Sequence, residues 1–248
     1  MRSQGTRLME GQRPWRQVLP WITAFAVAMG FLEATVVVYL RAIYYPTGFT
    51  FPLVSMAPQL VVAELLREAA TLVMLLAPAA LLSRNRLERF AWFCWAFAVW
   101  DLFYYVFLKV LLGWPESLLT WDVLFLLPTV WVGPVLAPCL ISMGLLILAV
   151  LILRGRERNA NYQPTSLQWF LLITAGLIML YTFMVDPIRY LGSLEPGRRV
   201  GTAAMSALEQ YQPAAFPWPL FGFACVLGTG AFVLMLRDTR SMDAPETR

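Results

Sequence analysis

"AVWDLFYYVFLK", residues 98–109, sets Asp101 and Lys109 inside an apolar run that extends over 90–112. A run of that length is enough to cross the ~30 Å hydrocarbon core of a bilayer as a helix. A charged side chain at the bilayer centre costs about 3 kcal/mol on insertion scales. Such a residue persists where it faces a polar interior, so the stretch predicts a bundle of membrane helices with polar groups turned inward.

The composition agrees. Of 248 residues, 59% are hydrophobic and 14% charged, with mean hydropathy +0.64; a soluble domain carries about 25% charged residues. Five further segments complete the expected set. Runs at 18–40, 58–82, 167–186 and 217–236 each read as one crossing. The stretch 117–153 is too long for one crossing and short for two. Pro115 and Pro128 bound its first part, leaving about 13 residues, a length that suits a re-entrant or interfacial half-helix near 116–128. Gly133 and Pro134 then open a crossing that runs to Leu153. The expected fold is all-α: a polytopic membrane helical bundle of six transmembrane helices plus that half-helix. A basic tail at 1–17 precedes a single transmembrane domain at 18–236, with an exterior loop at 187–217 and a C-terminal tail at 237–248.

Arginine placement orients the bundle. Eighteen of the 19 basic residues are arginines. They fall in short groups between apolar spans, a topology signal rather than a nucleic-acid face. Arg2, Arg7, Arg13 and Arg16 precede the first span, and Arg84, Arg86 and Arg89 separate the second from the third. Arg154, Arg156 and Arg158 follow the fourth, and Arg237, Arg240 and Arg248 follow the sixth. Six crossings put all of them on one side, which the positive-inside rule makes cytoplasmic. A seventh crossing would strand the 154–158 group outside. The expected location is a bacterial inner membrane with both termini cytoplasmic. The first apolar run is long and lacks a small-residue cleavage site, so it reads as an uncleaved span.

Histidine is absent. That removes histidine-ligated haem, histidine-based zinc sites and every Ser-His or Cys-His nucleophile pair. Cys94, Cys139 and Cys225 stand singly in apolar runs and read as small buried hydrophobes.

The remaining chemistry lies in charges at membrane depth. Counting about 1.5 Å per residue, Glu33, Glu64, Arg67 and Glu68 fall in the outer half of their spans and Asp101 near the middle. Asp122 lies in the expected half-helix, and Asp186 with Arg189 marks the outer end of the fifth span. No charge falls in the cytoplasmic half of a span. Glu64, Arg67, Glu68 and Thr71 follow i, i+3, i+4, i+7 and share one stripe. Asp101, Tyr104, Tyr105 and Lys109 occupy one broad face, and Ala26, Gly30 and Ala34 permit close helix approach beside Glu33. The expectation is an interior that is polar on the exterior side. Its proton- or cation-binding candidates are Glu33, Glu64, Glu68, Asp101, Asp122 and Asp186. Its counter-ion or substrate-orienting candidates are Arg67, Tyr104, Tyr105, Lys109 and Arg189. Arg67 is the expected partner of Asp101; in a purely structural network Arg67 pairs instead with Glu64 or Glu68, and Lys109 or Arg189 with Asp101 or Asp186.

Three functional readings follow. The leading one is proton- or cation-responsive solute binding or transport. The second is a non-catalytic subunit of a larger membrane complex. The third is an intramembrane enzyme acting on a lipid or lipid-linked substrate, with all-oxygen ligands for a hard cation and Arg41, Arg198 and Arg199 on a phosphate. The sequence names no cofactor. Its expected partners are the lipid bilayer and either further copies of the chain or other membrane subunits; nucleic acid is not among them. Reporter fusions after Arg158 and at Gly197 test the topology. The first is expected to be active only as a cytoplasmic reporter and the second only as an exterior one; a periplasmic reporter active at position 158 would overturn six crossings.

Overall fold

The computed structural model describes residues 14–127, 130–194 and 210–241. Six helices run through it in chain order: α1 (Trp15–Tyr44), α2 (Pro58–Leu82), α3 (Arg86–Leu112), α4 (Leu136–Arg158), α5 (Ser166–Ser193) and α6 (Trp218–Ser241). Between α3 and α4 lies a two-stranded antiparallel hairpin, β1 (Trp121–Phe125) and β2 (Trp131–Pro134). Five of the helices, all but α2, are long and apolar enough to cross a membrane. The chain is an integral membrane protein.

Local sequence sets the helix ends. Asn85 caps α3 by accepting from the backbone N–H groups of Leu87 (2.9 Å) and Glu88 (3.2 Å), satisfying donors that a helix start leaves open. Gly113 ends α3 with φ 67°, a left-handed conformation that glycine adopts without a Cβ penalty. Thr165 and Gln168 form a reciprocal capping box at the start of α5.

The helix α3 is central, packing against α1, α2 and α4, while α5 and α6 pair and α6 reaches α4. At one end the side chains lace five helix termini together. The Trp15 indole donates to Glu157 (2.9 Å), and Arg156 to Glu88 (3.0 Å). Gln168 donates to Asp238 (2.6 Å), and Arg158 to the Thr239 carbonyl (2.8 Å). The start of α1, the start of α3, the end of α4, the start of α5 and the end of α6 therefore share one end, as alternating antiparallel helices require. Next to this end the interior is dry, with Ile22, Ala26, Leu75, Trp92, Leu148 and Ile152 in one buried cluster.

Close approach of α1 and α3 depends on Gly30. A Cβ there would lie 2.9 Å from the Trp100 carbonyl oxygen and 3.2 Å from the Phe103 Cβ. Ala26 and Ala34, one turn to either side, are fully buried, so the small-residue stripe is the contact face.

The half-helix expected over 116–128 is replaced by the hairpin. Trp121, Val123, Phe125, Trp131 and Val132 are aromatic or β-branched, the residues that favour a pleated strand. Prolines at either side admit only a short element, and reading its length alone missed that preference. The hairpin's backbone groups find partners beyond the ladder: Val135 N–H donates to the Thr120 carbonyl (3.0 Å) and Leu136 N–H to that of Leu118 (2.7 Å). A second difference lies in α5, which continues through Pro187 to Ser193 rather than stopping at 186. The exterior loop expected over 187–217 therefore begins later, and most of it, with Arg198 and Arg199, lies outside the described residues.

Gly30→Leu should force α1 from α3, because neither the Trp100 carbonyl nor the backbone of Tyr104 can move aside independently. Overpacking of this kind costs about 1–3 kcal/mol or more. A thermal melt in mild detergent is expected to show a lower midpoint already for Gly30→Ala, whose Cβ meets the Trp100 carbonyl, and a lower one still for Gly30→Leu; an unchanged Gly30→Leu would mean that the helices do not meet here.

Candidate functional site

Away from the dry cluster, the polar halves of α1, α2 and α3 enclose a cavity of about 190 Å³. Glu33 and Arg41 of α1, Glu64, Arg67 and Glu68 of α2, and Asp101, Tyr104 and Tyr105 of α3 line it; β1 adds Asp122. The connecting segment between α1 and α2 contributes Tyr45, Phe49, Leu53, Val54 and Met56. Five carboxylates thus share one space with two guanidinium groups.

Arg67 lies between two of them. Its Nε and Nη2 donate to the two oxygens of Glu64 (2.9 and 2.5 Å), a forked pair one helical turn apart. Its Nη1 donates to Glu33 Oε1 across the α1–α2 gap, and Thr71 Oγ1 donates to the other Glu33 oxygen (3.3 Å). Two-pronged guanidinium–carboxylate pairs are among the stronger charge-assisted contacts.

Arg41 serves the second acid. It is 8% exposed and its Nη2 donates to Asp122 Oδ1 (3.4 Å), while the Tyr105 hydroxyl donates to Asp122 Oδ2 (3.3 Å). The guanidinium lies over Trp114 at 3.7 Å and Phe49 at 4.5 Å from the ring centroids, two cation–π contacts from rings set edge to face.

Among the described residues, no cation forms an ion pair with Glu68 or Asp101. The 6% exposed Glu68 accepts the Leu126 N–H on both oxygens, each at 3.1 Å, and so satisfies a donor where β1 ends. Asp101 Oδ2 accepts from the Ser142 hydroxyl of α4 (2.7 Å). The expected Asp101–Arg67 pair is therefore not formed: Arg67 is committed to Glu33 and Glu64, and a hydroxyl from the neighbouring helix takes its place. Arg67–Glu64 forms as expected and Arg67–Glu68 does not.

The other candidates lie elsewhere. Lys109 donates to the carbonyls of Gly113 (2.9 Å) and Pro115 (2.8 Å), where a cation complements the carbonyl end of α3. Asp186 accepts from the Tyr211 hydroxyl (2.6 Å) and the Ala214 N–H (3.2 Å). Burial, together with that bond, raises the Tyr211 hydroxyl above its ordinary range. Arg189 is exposed on α5. None of the three lines the cavity.

Sequence reasoning missed Ser142, Trp100 and the Arg41–Asp122 pair. Ser142 was open to notice as the one hydroxyl in α4. The pairing of Arg41 with Asp122, 81 positions apart, had no local signal. Among the described residues, no three cysteine or carboxylate side chains come close enough together to hold a metal ion. Comparison with protein-family models, curated proteins and solved structures finds no match to this chain.

Removing the Arg67 charge should leave two carboxylates facing each other with no cation between them. Breaking a buried pair from one side costs about 3–5 kcal/mol. Arg67→Gln is expected to lower the thermal midpoint sharply, and adding Glu33→Gln to recover part of that loss, since fewer charges then stay unpaired. Equal midpoints for the single and double variants would mean that the three groups are not coupled.

Proposed function

We propose that this chain is a six-crossing membrane protein whose polar cavity opens to the exterior and binds a proton or cationic solute, in a binding or transport role that responds to protons or cations. One observation carries the reading: five carboxylates face two guanidinium groups within one cavity. Arg67 and Arg41 offset two negative charges between them, and Glu68 and Asp101 have only neutral hydrogen-bond donors. A site of this sign in a low-dielectric wall draws cations toward it, and intramembrane carboxylates without counter-ions are suited to exchange protons or cations.

The side of opening follows from the arginine groups. The laced end carries Arg16, Arg156 and Arg158 and reads as cytoplasmic; the cavity lies in the other half. The lipid-enzyme reading loses support, because Arg41 is already held by Asp122 and two aromatic rings. The complex-subunit reading draws on a wide apolar groove of about 610 Å³ between α4, α5 and α6.

The test compares the purified parent chain in lipid nanodiscs with Glu68→Gln and Asp101→Asn. Thermal midpoints are followed from pH 5 to 8 and with added monovalent cations. The parent is expected to respond to both, and each variant to stay folded with that response reduced. Response curves that superimpose for parent and variants would sink the proposal.

A further inference from the structure

The cavity has a more specific complement than charge alone. Two of its five carboxylates, Glu68 on α2 and Asp101 on α3, have no ion-pair partner among the described residues. A compact hard cation is best held by several carboxylates converging on it, and no three carboxylate or cysteine side chains group in that way among the described residues. Beside its charged groups the cavity is lined by aromatic and aliphatic side chains, among them Trp100, Tyr104, Tyr105, Phe125, Val37 and Leu126. Aromatic faces beside carboxylates suit a diffuse, weakly hydrated organic cation.

Among the described residues, one buried hydrogen-bond donor beside this cavity has no partner. Trp100 is 5% exposed, and its indole N–H meets no acceptor. Trp131 and Tyr162 also carry buried polar atoms without a partner among the described residues, but only Trp100 borders this cavity. The Tyr104 hydroxyl, on the same face of α3 as Asp101, belongs to a side chain that lines the cavity. A buried donor left unmade costs about 1–3 kcal/mol, so an acceptor brought by a ligand gains what the protein does not supply. The space is small: about 190 Å³, against roughly 300–1,000 Å³ for pockets that take drug-sized ligands.

We infer that the cavity binds a small organic ammonium ion bearing a hydroxyl or carbonyl acceptor, with Glu68 or Asp101 on the cation and Trp100 or Tyr104 donating to the acceptor. This rests on the reading of the cavity as a cation site. Arg41 already shows how the wall treats such a charge, since its guanidinium is held by one carboxylate and two rings. The net negative balance of the lining argues against anions and zwitterions with a leading carboxylate.

The test is a titration of the full chain in nanodiscs, read by tryptophan fluorescence and thermal midpoint. The probes are ethanolammonium, choline, tetramethylammonium, sodium, magnesium and uncharged glycerol. Ethanolammonium or choline is expected to bind saturably, with tetramethylammonium weaker and glycerol without effect. Glu68→Gln with Asp101→Asn should weaken binding at least about tenfold, the equivalent of 1.4 kcal/mol. Trp100→Phe should weaken the hydroxylated probes and leave tetramethylammonium unchanged, a split that a merely unfolded variant would not give. Sodium or magnesium binding without any organic probe would overturn this inference and leave the cation reading standing. No response to any cation, with no pH response, would overturn both. Organic cations that bind the parent and the double carboxylate variant equally would place their site outside this cavity.

Discussion

The arrangement of the polar half of the molecule depends on one guanidinium. Arg67 has to be neutralised because a lone charge at membrane depth is expensive, and Glu64 on its own helix does so with two hydrogen bonds. The third bond, to Glu33, reaches α1. Both α1 and α2 pack chiefly on α3, so this charged contact, with Thr71 beside it, ties the first two helices across the space that becomes the cavity. A purely apolar contact there would close the space; a charged one holds the helices together while keeping the interior polar.

The same rule explains why a hairpin is tolerated between α3 and α4. Strand ends expose backbone donors and acceptors that the hydrocarbon cannot satisfy. Here the Leu126 N–H is met by Glu68, and Asp122 on β1 is met by Arg41 and Tyr105. Two of the five cavity acids therefore serve the hairpin as well as the site. Asp101 differs, since among the described residues its donor is the Ser142 hydroxyl of a neighbouring helix. It is the acid least tied to the architecture, and Glu68 follows it in lacking a cationic partner.

Much of this was legible along the chain. The length and spacing of apolar runs gave the helices, because the bilayer admits few other solutions. The i, i+3, i+4 stripe of Glu64, Arg67 and Glu68 gave one wall of the cavity, since helical spacing alone determines which residues share a face. The agreement in depth among Glu33, Glu68 and Asp101 brought three helices to one level. The small residues around Gly30 gave the α1–α3 contact.

What the sequence could not determine was which charge meets which. Arg67 lies within reach of several acids by depth, and the choice of Glu33 over Asp101 depends on how α1, α2 and α3 rotate about their axes, a matter of packing rather than of spacing. Arg41 and Asp122 meet because the hairpin folds back over the end of α1, and that fold-back exists only once β1 and β2 pair. A strand of five residues can be read as half a helix because length and flanking prolines suit both; the partner strand and the carboxylate at its end decide between them. Sequence determined the apolar helices and which charges share a helix face, because those follow from local hydrophobicity and helical spacing. Tertiary structure alone decided the pairs, the hairpin and the two acids without a cation, because hydrogen-bond partners are set by orientation in space.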